Sequence, residues 1–541
     1  MTVYRKAGKY AAPLMNRIRH PGARFRGRSF KYNLEIAKHV NDLVKELLGP
    51  RKRSKLVVTG RGDYKVTVDV LDVLDVLKKN NPLCRVLHEG AENIRSWAGD
   101  GAVSYVILST NLIMGAGRLF DIGLRHPHII SGYEKALEKA LEALEEKSFQ
   151  LNLMDGMNLK RFVKPLLGGY FSEGEAEHLS NLISGAVKLI YENAGKFEAR
   201  DVQLVKIPGG SVMDSSLLVG TVLYDNFITD MDMPHELEDV KVALIKQPIM
   251  VNKIWPVSKI AGFKAELAVR DPQLVRRLKR SEEEILEEKV GPLLESGARI
   301  LLSESKDIDD YVLGFLARKG IAVVRRITKD ESRWVSLSTG AKPIPDISML
   351  TPRDLGRVRR FKQIKQGIRF YGGVSHVIVE ADPRRAKSCC IILRGGSKVY
   401  LDEVEHFVKR VLRTVEAGLK SGRFVPGAGR IESILHLELG EYARSLGGKA
   451  SLAVEEFSRA LYRMAYTLIS NMGRDPSGEI ANVIAEYRRS GLRAGDVLDV
   501  LDVKKQVLIS AFETAKLVVR TKEMLYKHKI KVKIGGKSIR G

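Results

Sequence analysis

Four glycine-centred segments carry the residue types most able to do chemistry: Gly49-Pro50, Gly99-Asp100-Gly101 with Ala102, Val103 and Ser104 after it, Leu393-Arg394-Gly395-Gly396, and Pro426-Gly427-Ala428-Gly429. Glycine before a helix lets backbone N–H groups approach a phosphate, and the helix N-terminus favours its negative charge. An aspartate between glycines is the residue type that holds the magnesium ion accompanying such a phosphate. Taken singly, Gly-Asp-Gly is more often just a turn, and none of the four is a Walker A loop, which needs Gly-Lys-Ser/Thr. Two carboxylate triplets, Asp69, Asp72, Asp75 and Asp496, Asp499, Asp502, sit in nearly repeated segments. On a helix each triplet drifts across one broad face, where a solvated surface explains them more simply than a cation site. The three cysteines, Cys84, Cys389 and Cys390, have neither C-x-x-C spacing nor the number for a disulfide framework; the last two read as buried strand thiols.

The elements that must position these residues belong to a long, basic, globular chain. It has 541 residues, 44% of them hydrophobic and 29% charged, which excludes disorder and allows more than one core. No run approaches 18 uninterrupted apolar residues, and the first 30 positions hold no signal-peptide core. The expectation is a soluble, unexported protein of the reducing cytoplasm, without a membrane partner. The net charge is +25, of which residues 1–60 carry +12 and residues 516–541 carry +8. Such ends suit nucleic acid or an acidic partner. Lys529, Lys531 and Lys533 alternate with period two, so they share one face of a strand. Arg24, Arg26 and Arg28 interleave with Phe25, Phe30 and Tyr32, although a packing role for these aromatics is the simpler reading.

Periodicity gives a helix over residues 34–48 that stops at Gly49-Pro50, a hairpin from 56–58 and 65–68, and a helix from about Tyr133 to Lys147. Short β-type runs follow at 202–206, 217–223 and 242–245. Asp271 and Pro272 start a charged helix. Residues 299–326 read as a small α/β unit. After the basic run 357–365, β-type sequence returns at 377–380 and 391–393, and the last 140 residues are mostly helical. The order helical, mixed, α/β, mixed, helical suits one domain inserted within another.

In order along the chain, these motifs resemble the group II chaperonins, the thermosome subunits of archaea and their eukaryotic cytosolic relatives. The matches include Gly49-Pro50, Gly62-Asp63, Asp69, Pro82, Gly99-Asp100-Gly101, Gly132-Tyr133, Gly209-Gly210-Ser211, Thr339-Gly340-Ala341, Thr351-Pro352, Leu393-Arg394-Gly395-Gly396, Pro426-Gly427 and Asp475-Pro476. The resemblance covers nearly the whole chain and implies a multidomain α+β fold. Its parts would be a helical equatorial domain from both ends (1–147 and 403–541), a small α/β intermediate domain (148–213 and 369–402) and an inserted α/β apical domain (214–368) with a helical lid protrusion at about 245–290. It implies a ring of like or homologous subunits that binds non-native proteins, with ATP or ADP and magnesium as cofactors. The implied nucleotide contacts are Gly49, Pro50, Asp69, Gly99, Asp100, Gly101, Ser104, Gly395, Gly427 and Gly429, with Asp100 on the metal.

The departures from the family pattern cluster at that pocket. Family members usually read G-D-G-T-T-T at the phosphate loop, where this chain has Ala102, Val103 and Ser104. G-P-K-G-M-D becomes Gly49-Pro50-Arg51-Lys52-Arg53-Ser54, and N-D-G-A-T becomes Val68-Asp69-Val70-Leu71-Asp72. An ungapped match of the catalytic helix puts Arg410 at the aspartate position, and a guanidinium cannot take a proton from water. Ala428 interrupts a glycine triplet, the segment holding sugar and base is missing between Leu492 and Val497, and a lysine near the terminal phosphate is replaced within residues 165–169. The expectation is therefore a chaperonin-like ring subunit without a catalytic residue, whose ATP hydrolysis is lost. Two alternatives stand beside it: a basic scaffold or regulatory subunit that binds nucleic acid or acidic chaperonin subunits, and a conventional ATP-dependent chaperonin. In the resembling family both termini meet at the equator and face the ring interior, so Arg24, Arg26, Arg28, Lys529, Lys531 and Lys533 would form a positively charged chamber floor.

Overall fold

The computed structural model describes residues 29–521, apart from 59–63, 79–80, 156, 225, 227, 230–231, 251–283, 285, 367–373, 494 and 496, together with the backbone of the strands Lys531–Ile534 and Lys537–Arg540. The chain divides into two units: Met1–Leu151 with Ser421–Gly541, and Asn152–Lys420. The Gly62-Asp63 turn, the Asp271 helix and most of the expected lid protrusion lie outside the described residues.

The first unit is helical because its long segments place apolar residues on broad stripes that bury one another. Its centre is the helix Ala102–Asp121, whose Val106, Leu108, Leu112, Ile113 and Ala116 are fully buried. That helix is long and apolar enough to cross a membrane, yet 72% of its apolar window is buried against its neighbours, which makes it a core helix. Around it pack Ser29–Val44, His126–Glu146, Gly448–Asn471 and Leu501–Arg520, which contribute Val40, Ala140, Phe457 and Ala511 to one continuous core. The first helix ends, through a 3-10 turn at Lys45–Leu47, just before Gly49. The expected hairpin forms as Lys55–Val58 against Tyr64–Thr67. A small antiparallel sheet joins the two distant halves: Arg423–Pro426 pairs with Phe149–Gln150 on one side and with Leu498–Val500 on the other.

Among its described residues the second unit holds two sheets. In the smaller, Cys389–Gly395 runs between the parallel Val202–Pro208 and the antiparallel Ser216–Leu218. Cys389 and Cys390 are buried there, and burial pushes the Cys389 thiol up to about 12. The larger sheet has the order Gly220–Leu223, Val374–Glu380, Gly356–Gln366, Glu236–Ile245, Ala298–Ser303 and Ala322–Val324, with Pro343–Ile344 beside Glu236–Ile245. Its helix Asp310–Arg318 is capped by Asp309, and Lys329–Thr339 starts with a capping box in which Thr328 and Glu331 satisfy each other's backbone donors. The helix Lys398–Ser421 is continuous, so the expected junction at residues 402 and 403 falls inside it.

Two readings from sequence are corrected. Residues 357–365, read as a basic run, form most of an inner strand: Val358 and Phe361 are buried, while Arg360 and Lys362 meet Glu236 on the neighbouring strand. The second aspartate triplet does not repeat the first. Asp72 and Asp75 lie on the helix Val70–Lys78, but Asp499 lies on a strand, opposite Val425, and Asp502 opens the following helix. Backbone pairing with Arg423–Pro426 overrides the helical periodicity of the segment.

Candidate functional site

The loop between the helices Pro82–Ala98 and Ala102–Asp121 is only three residues long. Gly99 closes the first helix in the left-handed region at φ 75°, and Gly101 opens the second at φ 91° without a side-chain cap. Both angles exclude most other residues, and a Cβ on Gly101 would stand 3.0 Å from Val507 and 3.1 Å from Val503. The first helical bond runs from the Tyr105 N–H to the Gly101 carbonyl at 2.9 Å. The N–H groups of Ala102, Val103 and Ser104 therefore have no intrahelical acceptor and point, with the positive end of the helix, out of the loop. Of these three residues only Ser104 brings a hydroxyl.

Other predicted residues of the first unit converge on the end of the helix Gly448–Asn471. A Cβ on Gly49 would lie 2.8 Å from Leu468, and one on Gly429 would lie 3.4 Å from Ile469, the next residue. Asn471 ties the first helix in place by donating to the Lys45 and Leu48 carbonyls at 2.7 and 2.8 Å, just ahead of Gly49-Pro50. Gly427 donates to the Val497 carbonyl at 2.8 Å and faces Asp499, whose charge in turn feels that of Asp100. Gly49, Gly427, Gly429 and the Gly99-Asp100-Gly101 loop are thus drawn together by elements far apart in sequence. Gly395 belongs to the second unit, where it packs beside Tyr400 and Leu401.

Asp69 is held by local structure. Its carboxylate accepts from the Leu71 N–H at 3.0 Å, at the start of the helix Val70–Lys78, and forms an ion pair with Arg95. Ala428 occupies the left-handed region at φ 55°, a conformation that costs an alanine about 1–2 kcal/mol. Next to it Arg430 reaches Glu486 at 2.6 Å.

Three site residues escaped the sequence reading: Glu432, Asp499 in its actual role, and Lys504. The Lys504 ammonium bridges Glu432 and, at 2.9 Å, Asp499. Glu432 is almost fully buried, and its second carboxylate oxygen has no hydrogen-bond partner. Burial pushes the Asp499 carboxyl up, against the pull of Lys504. Burial also opposes the charge on Lys504, but Asp499 and Glu432 outweigh it and hold the ammonium protonated. These residues come from two helices and a strand, so no local spacing announces them. The one available signal was that Lys504 ends the second aspartate segment.

On the helix Lys398–Ser421, the Arg410 guanidinium stacks over the Phe407 ring at 4.8 Å, and Phe407 stacks on Tyr170 at 4.2 Å. The Tyr170 hydroxyl donates to Glu403. A cation held in this way offers no proton acceptor. Arg24, Arg26, Arg28 and Lys529 lie outside the described residues. Lys531 and Lys533 lie two apart on the strand Lys531–Ile534, which pairs with Lys537–Arg540.

The donors present fit a phosphate, since uncapped N–H groups at a helix N-terminus beside glycines bind one without further help. Among the described residues no group of three or more His, Cys, Asp and Glu side chains could hold a metal.

A helical unit assembled from both ends of the chain, interrupted by a long α/β insertion and bearing glycine loops at helix starts, has the organisation of a chaperonin subunit. The chain belongs to the TCP-1/cpn60 chaperonin family, whose model matches residues 40–529. It is 31% identical over 525 residues to the thermosome subunit beta of Thermococcus kodakarensis, covering 94% of this chain and 93% of that protein. It is 30% identical over 517 residues to a thermosome subunit of Pyrococcus horikoshii, covering 92% and 91%. The thermosome subunit alpha of Halobacterium salinarum is 30% identical over 507 residues, covering 91% and 87%.

Proposed function

We propose that this protein is a chaperonin ring subunit that encloses non-native proteins and retains a phosphate-binding loop without efficient ATP hydrolysis. The observation that carries the reading is the contrast at one site. The Gly99-Asp100-Gly101 loop sets two left-handed glycines before a helix start, while Asp69 is engaged by Arg95, Asp499 is paired with Lys504, and Ala102 and Val103 supply no hydroxyl. On the ungapped motif match, Arg410 would take the position of the family's catalytic aspartate. Nucleotide, when bound, would supply the phosphates that complete a magnesium shell at Asp100. The chain's own part is to present the N–H groups of Ala102, Val103 and Ser104 to those phosphates.

Assembly is supported by the hairpin Lys55–Val58 and Tyr64–Thr67. It is only two-stranded, and it exposes Leu56, Val58, Tyr64 and Val66, with Tyr64 77% accessible. Open strand edges with exposed apolar residues suit pairing with another copy. The intermediate and apical divisions of residues 148–402, the lid, and the basic chamber floor are parts of the same proposal.

Electron microscopy of the purified protein should show closed rings, and monomers alone at native concentration would refute assembly. Calorimetry should detect ADP binding that weakens in Asp100→Ala, whereas phosphate release with magnesium and ATP should stay at background. Magnesium-dependent turnover that disappears in Asp100→Ala would overturn the loss of hydrolysis.

A further inference from the structure

The large sheet of the second unit carries a set of cations that have no ion-pair partner among the described residues. Arg357 on the strand Gly356–Gln366 lies directly opposite Lys241 on the strand Glu236–Ile245. Arg299, on the next strand, falls at the register shift between the Ala298–Lys241 and Ile300–Val242 pairs. These are three basic residues on three adjacent strands, all exposed, with exposed Arg359 two positions beyond Arg357. Like charges directly opposed across strands oppose pairing.

The other half of the same strand pair shows how such charges are neutralised when the fold provides for it. Glu236 accepts from Arg360 at 2.6 Å and lies 3.3 Å from Lys362, and Glu238 approaches Arg360 at 3.9 Å. Among the described residues no carboxylate pairs with Arg357, Arg359, Lys241 or Arg299, and Asp239, exposed on the same strand, joins none of them.

We infer that Arg357, Lys241 and Arg299, with Arg359 beside them, form a docking surface for an acidic polypeptide segment. Guanidinium forks suit carboxylate groups in pairs, and Lys241 adds a mobile point charge between two arginines. The three strands present no exposed aromatic ring, since Phe361, their one aromatic residue, is buried. A single-stranded nucleic acid would therefore find phosphate partners here but nothing on which to stack its bases. The central strand Glu236–Ile245 is paired on both sides at Lys241, by Arg357 and by Ala298, so there the partner binds by its side chains and not by adding a strand. The choice of a polypeptide rests on the chaperonin reading; the charge surface itself does not.

The test uses the full chain with Arg357, Lys241 and Arg299 all changed to glutamine, which removes charge repulsion and so should not unfold the sheet. Binding of a fluorescein-labelled glutamate decapeptide is followed by anisotropy at low and high salt, beside a thymidine oligonucleotide of equal length. Each lost charged hydrogen bond is worth roughly ten-fold, so the triple variant should bind the decapeptide at least about ten-fold more weakly. Wild-type binding should also fall with added salt. A loss under about three-fold overturns the surface. Tighter binding of the oligonucleotide, lost in the triple variant, overturns the acidic polypeptide as its occupant. Electron microscopy of the same variant separates the two proposals, because rings should persist whether or not the decapeptide binds.

Discussion

The bridge formed by Lys504 between Glu432 and Asp499 makes the sharpest prediction. The Lys504 side chain is only 15% exposed and that of Glu432 only 2%. Lys504→Met keeps most of the apolar stem but leaves two carboxylates, one of them deeply buried, with no cation between them. Breaking a buried ion pair from one side costs about 3–5 kcal/mol. In a unit made from residues 1–151 and 421–541 that corresponds to a melting transition lower by about 6–10 °C, at about 2 °C per kcal/mol. Removing the stranded charge should restore much of the loss, so Lys504→Met with Glu432→Gln should be more stable than Lys504→Met alone. The pH dependence has a definite sign. Without the pull of Lys504, the Asp499 carboxyl that burial pushes up titrates further above its unfolded value, so the folded state binds more protons and the deficit shrinks as pH falls from 7 toward 5. Calorimetry at pH 7 and pH 5 reads both effects. A cost under about 1 kcal/mol at pH 7, or a deficit that grows on acidification, would refute the argument.

Ala428→Gly should raise the melting temperature, gaining up to about 1 kcal/mol because relief of the left-handed strain exceeds the glycine entropy cost; a lower transition would count against the strain. Gly90→Ala should destabilise by about 1–3 kcal/mol. The new Cβ would stand 2.1 Å from the Tyr105 hydroxyl and displace its 2.7 Å hydrogen bond to Thr514, so an unchanged denaturation midpoint would contradict the packing. Lys196 and Arg200 hydrogen-bond Glu198 and lower its carboxyl from 4.5 to about 2. The stability it contributes is therefore complete above about pH 4.5 and lost as pH falls toward 2. Wild type and Glu198→Gln, compared by urea unfolding, should differ at pH 7 and converge near pH 2; a constant difference would exclude this role.

Much of the architecture was legible in the sequence because it is written in local periodicity. The apolar stripe over residues 34–48, the hairpin around Gly60 and Gly62, and the period-two strand at the C-terminus all concern neighbours within a turn or a pleat. The glycine loops, by their spacing and order, point to the family as well. The strand Gly356–Gln366 was hidden because its polar positions are cationic, and the carboxylates that neutralise Arg360 and Lys362 come from Glu236 and Glu238 on a strand over 100 residues away.

By itself, the sequence determined the helical ends with an α/β insertion, the concentration of charge at the termini, and the presence of Ala102, Val103 and Arg410 where the resemblance leads one to expect hydroxyls and a carboxylate. Those properties depend on residue identity and short spacings. Only the tertiary structure decided what the surviving groups do. It spends Asp69 on a helix start and Arg95, pairs Asp499 with a lysine, sets Ala428 in a glycine conformation, and gives Arg357, Lys241 and Arg299 no carboxylate partner among the described residues. A side chain's partner depends on which distant strands and helices are brought beside it, and burial then sets how much that partnership is worth.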